Sequence, residues 1–251
     1  MAKIDILLAV VFSISYCVIL WKDWLPVASQ TVTREIVLRV FIKSAPLIFI
    51  MRSGFDAAWT LQGPKEAKYG RGVILGLFAG MFGVILSELG SVRGHFNDVA
   101  MLAFLIAHCC FIYSFALRTD LFRLSVPSLL LCALPWAALV LGALWLLQPS
   151  ASAPLPILRY AHLSAAFLLG WSATLRVGRS DSSPTSQHFG LVGAALAIAA
   201  DIAPLALRSL PLDSDISYPV AASLVYYLGQ MSLSLSIEHA LVLPKPVQKN
   251  A

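Results

Sequence analysis

Eight apolar stretches, each near the length that crosses a bilayer, leave this chain few ways to fold. A spanning helix needs ~20 mostly apolar residues. The stretches cover about residues 4–25, 35–61, 71–89, 97–117, 125–147, 157–175, 189–207 and 217–241. Only 12% of the 251 residues are charged and 59% are hydrophobic, whereas a soluble domain averages ~25% charged. Mean hydropathy is +0.80. The expected fold is an all-α, polytopic membrane helix bundle of eight transmembrane helices. No polar stretch is long enough to build a separate soluble core, so residues 1–251 read as a single integral membrane domain.

The second stretch is the least regular. It carries Arg39, Lys43, Arg52 and Asp56, and Pro46 lies inside it. Proline removes a helix hydrogen bond and kinks the run. Two readings follow: one tilted, broken helix, or a span plus a re-entrant piece. Breaks elsewhere are marked by Gly63-Pro64, by residues 148–154 and by residues 180–184. The first stretch follows a single basic residue, Lys3, lacks a small-residue cleavage pattern and continues through Trp21 and Trp24. It is expected to be a retained helix rather than a removed leader.

Lys and Arg in the flanks predict orientation. The N-terminal end, the even loops and the C-terminal tail hold eleven, among them Lys65, Lys68, Arg71, Arg118, Arg123, Arg176, Arg179, Lys245 and Lys249. The odd loops hold five: Lys22, Arg34, Arg93, Arg159 and Arg208. Both termini are therefore expected on the cytoplasmic side, in the plasma (inner) membrane of a bacterium or the endoplasmic reticulum of a eukaryote. Trp21, Trp24, Trp145 and Tyr218 sit near span ends, as interfacial aromatics do. The net charge of +5 suits anionic lipid. The basic residues are scattered, which gives no case for nucleic acid. Cys17, Cys109, Cys110 and Cys132 lie in apolar runs without a CxxC spacing and read as packing residues.

The costliest residue is Asp201, alone in the run 189–207. An Asp at the centre of a membrane helix costs roughly 2.5–3.5 kcal/mol. Its helix is otherwise rich in Ala and Gly, which lets neighbours approach closely. His108, Asp201 and Gln230 each lie eleven to thirteen residues into their spans, so they are expected near one depth. Tyr226 and Gln230 share a face at i, i+4, with Tyr227 beside them, and Lys43 enters from the opposite side. Such groups can satisfy one another as a structural network, or line a polar cavity. Glu88 and His162 are expected near the interface, and His188 and His239 at helix ends. No HxxxH, HExxH or paired-Cys spacing supports a metal site, no G-x-S-x-G elbow supports a serine hydrolase, and no cofactor is expected. Helices seven and eight hold no Lys for a retinal Schiff base.

Several stretches together resemble the YhhN family of eight-helix membrane proteins, whose characterised members are lysoplasmalogenases. They are Lys43-Ser44-Ala45-Pro46-Leu47, Tyr69-Gly70-Arg71 with Gly76-Leu77-Phe78, the run from Ala103 to His108, the run from Gly193 to Asp201, and Tyr226-Tyr227-Leu228-Gly229-Gln230. The likeness spans roughly residues 36–237. Two positions depart from it. Val84 stands where the family carries an Asp, and Phe111 where a Tyr follows the family's His.

The resemblance implies a lysophospholipid substrate and hydrolysis of a vinyl ether to an aldehyde and a glycerophospho-alcohol. It implies Asp201 and His108 as catalytic residues, Asp201 as proton donor and His108 as base. Lys43, Tyr226, Tyr227 and Gln230 would bind substrate. A second carboxylate would be needed by analogy with two-carboxylate glycoside hydrolysis, and Glu88, one helical turn beyond Val84, is the stand-in. The alternative is a non-catalytic lipid-binding or lipid-sensing protein of the same fold, which the Val84 departure favours. A proton-coupled transporter would often show two related halves, and no internal repeat is evident.

Overall fold

Apolar runs that close their backbone hydrogen bonds locally become helices. In the computed structural model, which describes residues 2–21, 34–61, 63–90, 95–117, 125–146, 156–178, 182–208 and 217–240, the chain forms eight α-helices and no strand among those residues. They are α1 (Ala2–Trp21), α2 (Arg34–Trp59), α3 (Pro64–Gly90), α4 (His95–Ala116), α5 (Val126–Leu146), α6 (Pro156–Arg176), α7 (Pro184–Arg208) and α8 (Ser217–Glu238). Among the described residues, three stretches are long and apolar enough to cross a membrane: Pro64–Gly90, His95–Ala116 and Val126–Leu144. The expected flanking residues Lys22, Trp24, Arg93, Arg118, Arg123, Arg179, Lys245 and Lys249, and the break at 148–154, lie outside the described residues.

α2 is one continuous helix with Pro46 inside it, which decides between its two readings in favour of the single helix. Two helices begin earlier than hydropathy suggests: α3 at Pro64 rather than near Arg71, and α7 at Pro184 rather than near Phe189. Proline suits a first helical position because it has no N–H to leave unpaired. Ser183 caps α7, its Oγ accepting from the Ser186 N–H at 3.1 Å. The added turns are polar, so an apolar window misses them; in α3 Lys65 and Lys68 stay exposed, whereas in α7 Ser186 and Gln187 are buried. Gln187 donates to the Ser182 hydroxyl and carbonyl, each at 3.0 Å.

Arg176, counted above as a loop cation, is fully buried. Its guanidinium donates to Tyr69 Oη at 2.7 Å and to Ser186 Oγ at 2.5 Å, and lies 4.3 Å from the centre of the Tyr69 ring. Tyr69 Oη in turn lies 2.6 Å from Ser236 Oγ. One side chain thereby ties α3, α6, α7 and α8 together at one end of the bundle.

α2, α3, α4, α6, α7 and α8 pack as a ring, with α8 returning to α2 and also touching α3. α1 lies outside against α2 and α8, and α5 outside against α6 and α7. α5 turns Val126, Leu130, Leu131, Leu134 and Leu141 outward. An apolar face of that extent calls for a covering phase, and lipid supplies one. Inside the ring, α7 and α8 meet backbone to backbone. A Cβ on Gly193 would lie 2.7 Å from Leu233 Cγ and 2.9 Å from its backbone nitrogen; one on Gly229 would lie 3.0 Å from the Ala197 nitrogen. This small-residue seam places Asp201, one turn beyond Ala197, next to α8.

Candidate functional site

Asp201 is met inside the ring by two histidines. Nε2 of His108, on α4, lies 3.1 Å from Asp201 Oδ2, and Nε2 of His162, on α6, lies 3.3 Å from the same oxygen. The two imidazoles stack with centroids 4.7 Å apart and planes at 27°. Side-chain exposure is 4% for His108, 6% for His162 and 15% for Asp201, so the carboxylate alone keeps some access. A carboxylate removed from water is stable only when it is paired and hydrogen-bonded, and two imidazoles do both. Asp201 is therefore placed to accept from both imidazoles.

Tyr226 and Gln230 complete the inner wall from α8. Both reach α3 where Gly80 leaves room: a Cβ there would lie 2.8 Å from Tyr226 Oη and 3.9 Å from Gln230 Oε1. Four polar atoms of these side chains are buried without a hydrogen-bond partner among the described residues: His108 Nδ1, His162 Nδ1, Tyr226 Oη and Gln230 Oε1. A buried polar group left unsatisfied costs about 1–3 kcal/mol. Four of them drawn from three helices mark a place built for something other than packing.

Lys43 and Glu88 form a second cluster. The Lys43 ammonium donates to Glu88, Arg39 lies 3.8 Å from Glu88, and Lys43 Nζ sits 6.0 Å from the Tyr16 ring centroid. Tyr227 Oη donates to the Lys43 carbonyl at 2.8 Å. Pro46 leaves the Ile42 carbonyl without its usual helical donor, and the neighbouring Lys43 carbonyl takes a side-chain donor beside that loosened turn. Tyr226 and Tyr227, with ring centroids 6.1 Å apart, join the two clusters.

The structure thus groups Asp201, His108, Tyr226 and Gln230, and sets Lys43, Glu88 and Tyr227 beside them in a separate ion-paired group. Glu88 is engaged by two cations. Val84 is buried between Gly80 and Glu88 on one face of α3, in the apolar core. Phe111 packs its ring onto α3 at Gly76, where a Cβ would lie 2.3 Å from it. His188 and His239 are exposed.

His162 is the residue that sequence reading misplaces, at the interface. It is buried, and its position is intelligible from helix ends. Asp201 lies ~10 Å from the C-terminal end of α7 and His162 ~9 Å from the start of α6, at ~1.5 Å per residue. Those two ends adjoin in an antiparallel pair. Counting Asp201 from the wrong end of a helix whose true start is Pro184 hides the match.

The two imidazole nitrogens and the carboxylate all lie within 4.8 Å of one another, close enough for a common metal ion. No spacing motif announces them because they come from three helices. No curated protein and no solved structure matches the chain. The profile of the YhhN family matches residues 38–237. That interval runs from the ion-paired turn of α2 to the last turns of α8 and takes in both polar clusters. By that match the chain belongs to the YhhN family.

Proposed function

We infer that the chain is a membrane hydrolase that cleaves the vinyl ether of lysoplasmalogens, giving an aldehyde and a glycerophospho-alcohol. The observation that carries this reading is Asp201 held by His108 and His162 beside unpartnered Tyr226 and Gln230, inside a bundle of the YhhN family. The chemistry requires a proton at the vinyl carbon, then water at the resulting oxocarbenium, and collapse of the hemiacetal. The Asp201–imidazole cluster supplies and recovers that proton, and Asp201 fixes the orientation of both rings. Tyr226 and Gln230 orient the water or the ether oxygen.

Lys43 is the contact for the lipid phosphate, which takes over from Glu88 at the ammonium. The two clusters are joined through the neighbouring residues Tyr226 and Tyr227 of α8. Asp201, His162, Lys43 and Tyr226 all lie within ~9–14 Å of one end of the bundle. In an eight-span bundle with cytoplasmic termini, that end faces away from the cytoplasm, and lysolipid enters from that leaflet without sinking to the midplane.

The test is aldehyde release from lysoplasmenylethanolamine by protein purified in detergent, beside Asp201→Asn. Release by wild type and a loss of about 100-fold or more in the variant support the reading. No release from protein that is monodisperse and melts cooperatively removes it for this substrate.

A second reading is favoured by one observation: Val84 is buried and apolar where the family carries Asp, and the nearby Glu88 is already ion-paired. The chain is then a lipid binder on the same scaffold. Val84→Asp separates the two. Gain of aldehyde release marks a weakened enzyme; unchanged lysolipid binding without release marks a binder.

A further inference from the structure

Three potential metal ligands converge on one point inside the ring, although no sequence spacing foretells it. We propose that His108, His162 and Asp201 bind a divalent transition-metal ion, with zinc the best fit. Tetrahedral zinc bonds of ~2.0–2.1 Å to His nitrogen and carboxylate oxygen place neighbouring donors ~3.3 Å apart. The two Nε2 to Oδ2 distances, 3.1 and 3.3 Å, match that spacing, and the two imidazole nitrogens, within 4.8 Å of each other, draw together as they take up the ion. A hydrogen-bonded Asp–His pair needs only one imidazole. Here a second one addresses the same oxygen and stacks on the first at 4.7 Å. Two imidazoles face to face would repel if both were protonated, whereas a shared ion holds both neutral and explains their common direction.

Two histidines and one carboxylate form a three-ligand set of the kind that leaves a position open for water or substrate. Tyr226 Oη and Gln230 Oε1, buried and unpartnered, are placed to hold a water at that position. Neutral imidazoles with one carboxylate leave a dipositive ion with a single net charge, which a bound hydroxide cancels inside the bundle.

The site stands on geometry; its role rests on the hydrolase reading above. With the ion in place the cluster delivers the proton through its bound water rather than from an imidazole: that water gives one proton to the vinyl carbon and its hydroxyl to the oxocarbenium carbon. The hemiacetal C–O bond then breaks, the alkoxide leaves with the hemiacetal proton, and the ion is unchanged. A single water source of this kind replaces the second carboxylate that Val84 removes.

The experiment uses full-length protein in detergent with any affinity tag removed. Its metal content is measured by mass spectrometry, and the chelator-stripped protein is titrated with Zn²⁺ and with Co²⁺. The expected result is about one ion per chain, with visible ligand-field bands for Co²⁺. His162→Ala and Asp201→Asn weaken binding at least ~tenfold, and His188→Ala, at an exposed histidine outside the cluster, leaves it unchanged. Folded wild-type protein that takes up neither ion overturns the proposal, and so does undiminished binding by folded His162→Ala. These readouts are independent of turnover. An ion bound without aldehyde release keeps the site and removes the hydrolase; release from protein that binds no ion removes the site and keeps the hydrolase.

Discussion

Single polar side chains in apolar helices carry most of the information in this chain. Asp201, His108, Tyr226 and Gln230 stand out in the sequence because each is expensive where it lies. Their grouping follows from a rough count of depth. His162 escapes that count because depth counted from helix starts runs from opposite ends of the bundle in α6 and α7, and α7 starts at Pro184 rather than near Phe189. Glu88 is legible as a carboxylate but not as the partner of Lys43 and Arg39, since that pairing depends on how α2 meets α3. Two outcomes follow at this scale. Tyr226→Phe removes a buried hydroxyl that has no partner; it should raise stability in detergent by about 1 kcal/mol while lowering aldehyde release roughly tenfold through the lost hydrogen bond. Thermal melting and turnover on the same sample check this opposition. Lys43→Met leaves Glu88 in apolar surroundings with one cation fewer and should destabilise the bundle by up to about 3 kcal/mol. Adding Glu88→Leu should recover most of that loss, as read from the same melts.

Helices are the level at which hydropathy serves best and boundaries serve worst. All eight expected stretches correspond to helices among the described residues. The first turns of α3 and α7 escape an apolar window because their residues are polar: Lys65 and Lys68 are exposed, and Ser186 and Gln187 are buried by pairing rather than by apolarity. Arg176 shows the same effect: a cation next to a break reads as a loop residue until its partners on α3 and α7 are seen. Close backbone contact between α7 and α8 is a further element-scale property, signalled by Gly193 and Gly229. Gly193→Ala drives a Cβ against the Leu233 backbone and should cost about 1–3 kcal/mol, because a packed seam has no room to yield. An exposed position on the same helix, Val192→Ala, serves as the reference. Equal melting temperatures for the two variants would mean that the seam is looser than described.

Across the whole molecule, the order of packing is what no stretch of sequence reveals. Among the described residues α4 packs on α6 and not on α5, and α8 closes the ring against α2; this arrangement makes His108, His162 and Asp201 neighbours. The proposed orientation, with both termini on the cytoplasmic side, rests on the surplus of basic residues in the even loops. Reporter fusions beyond α1's start and α8's end should both report that side; opposite sides would require an odd number of spans and undo the assignment of the site to one leaflet. The central claim is that three side chains from three helices act as one chemical unit. The most direct test is aldehyde release by wild type, by Asp201→Asn and His162→Ala singly, and by the double variant, in the same lipid vesicles. The account predicts that each single change lowers release by about 100-fold or more and that the double variant is little worse, as expected when residues work as a unit. Full activity in His162→Ala, or losses that simply multiply, would contradict it.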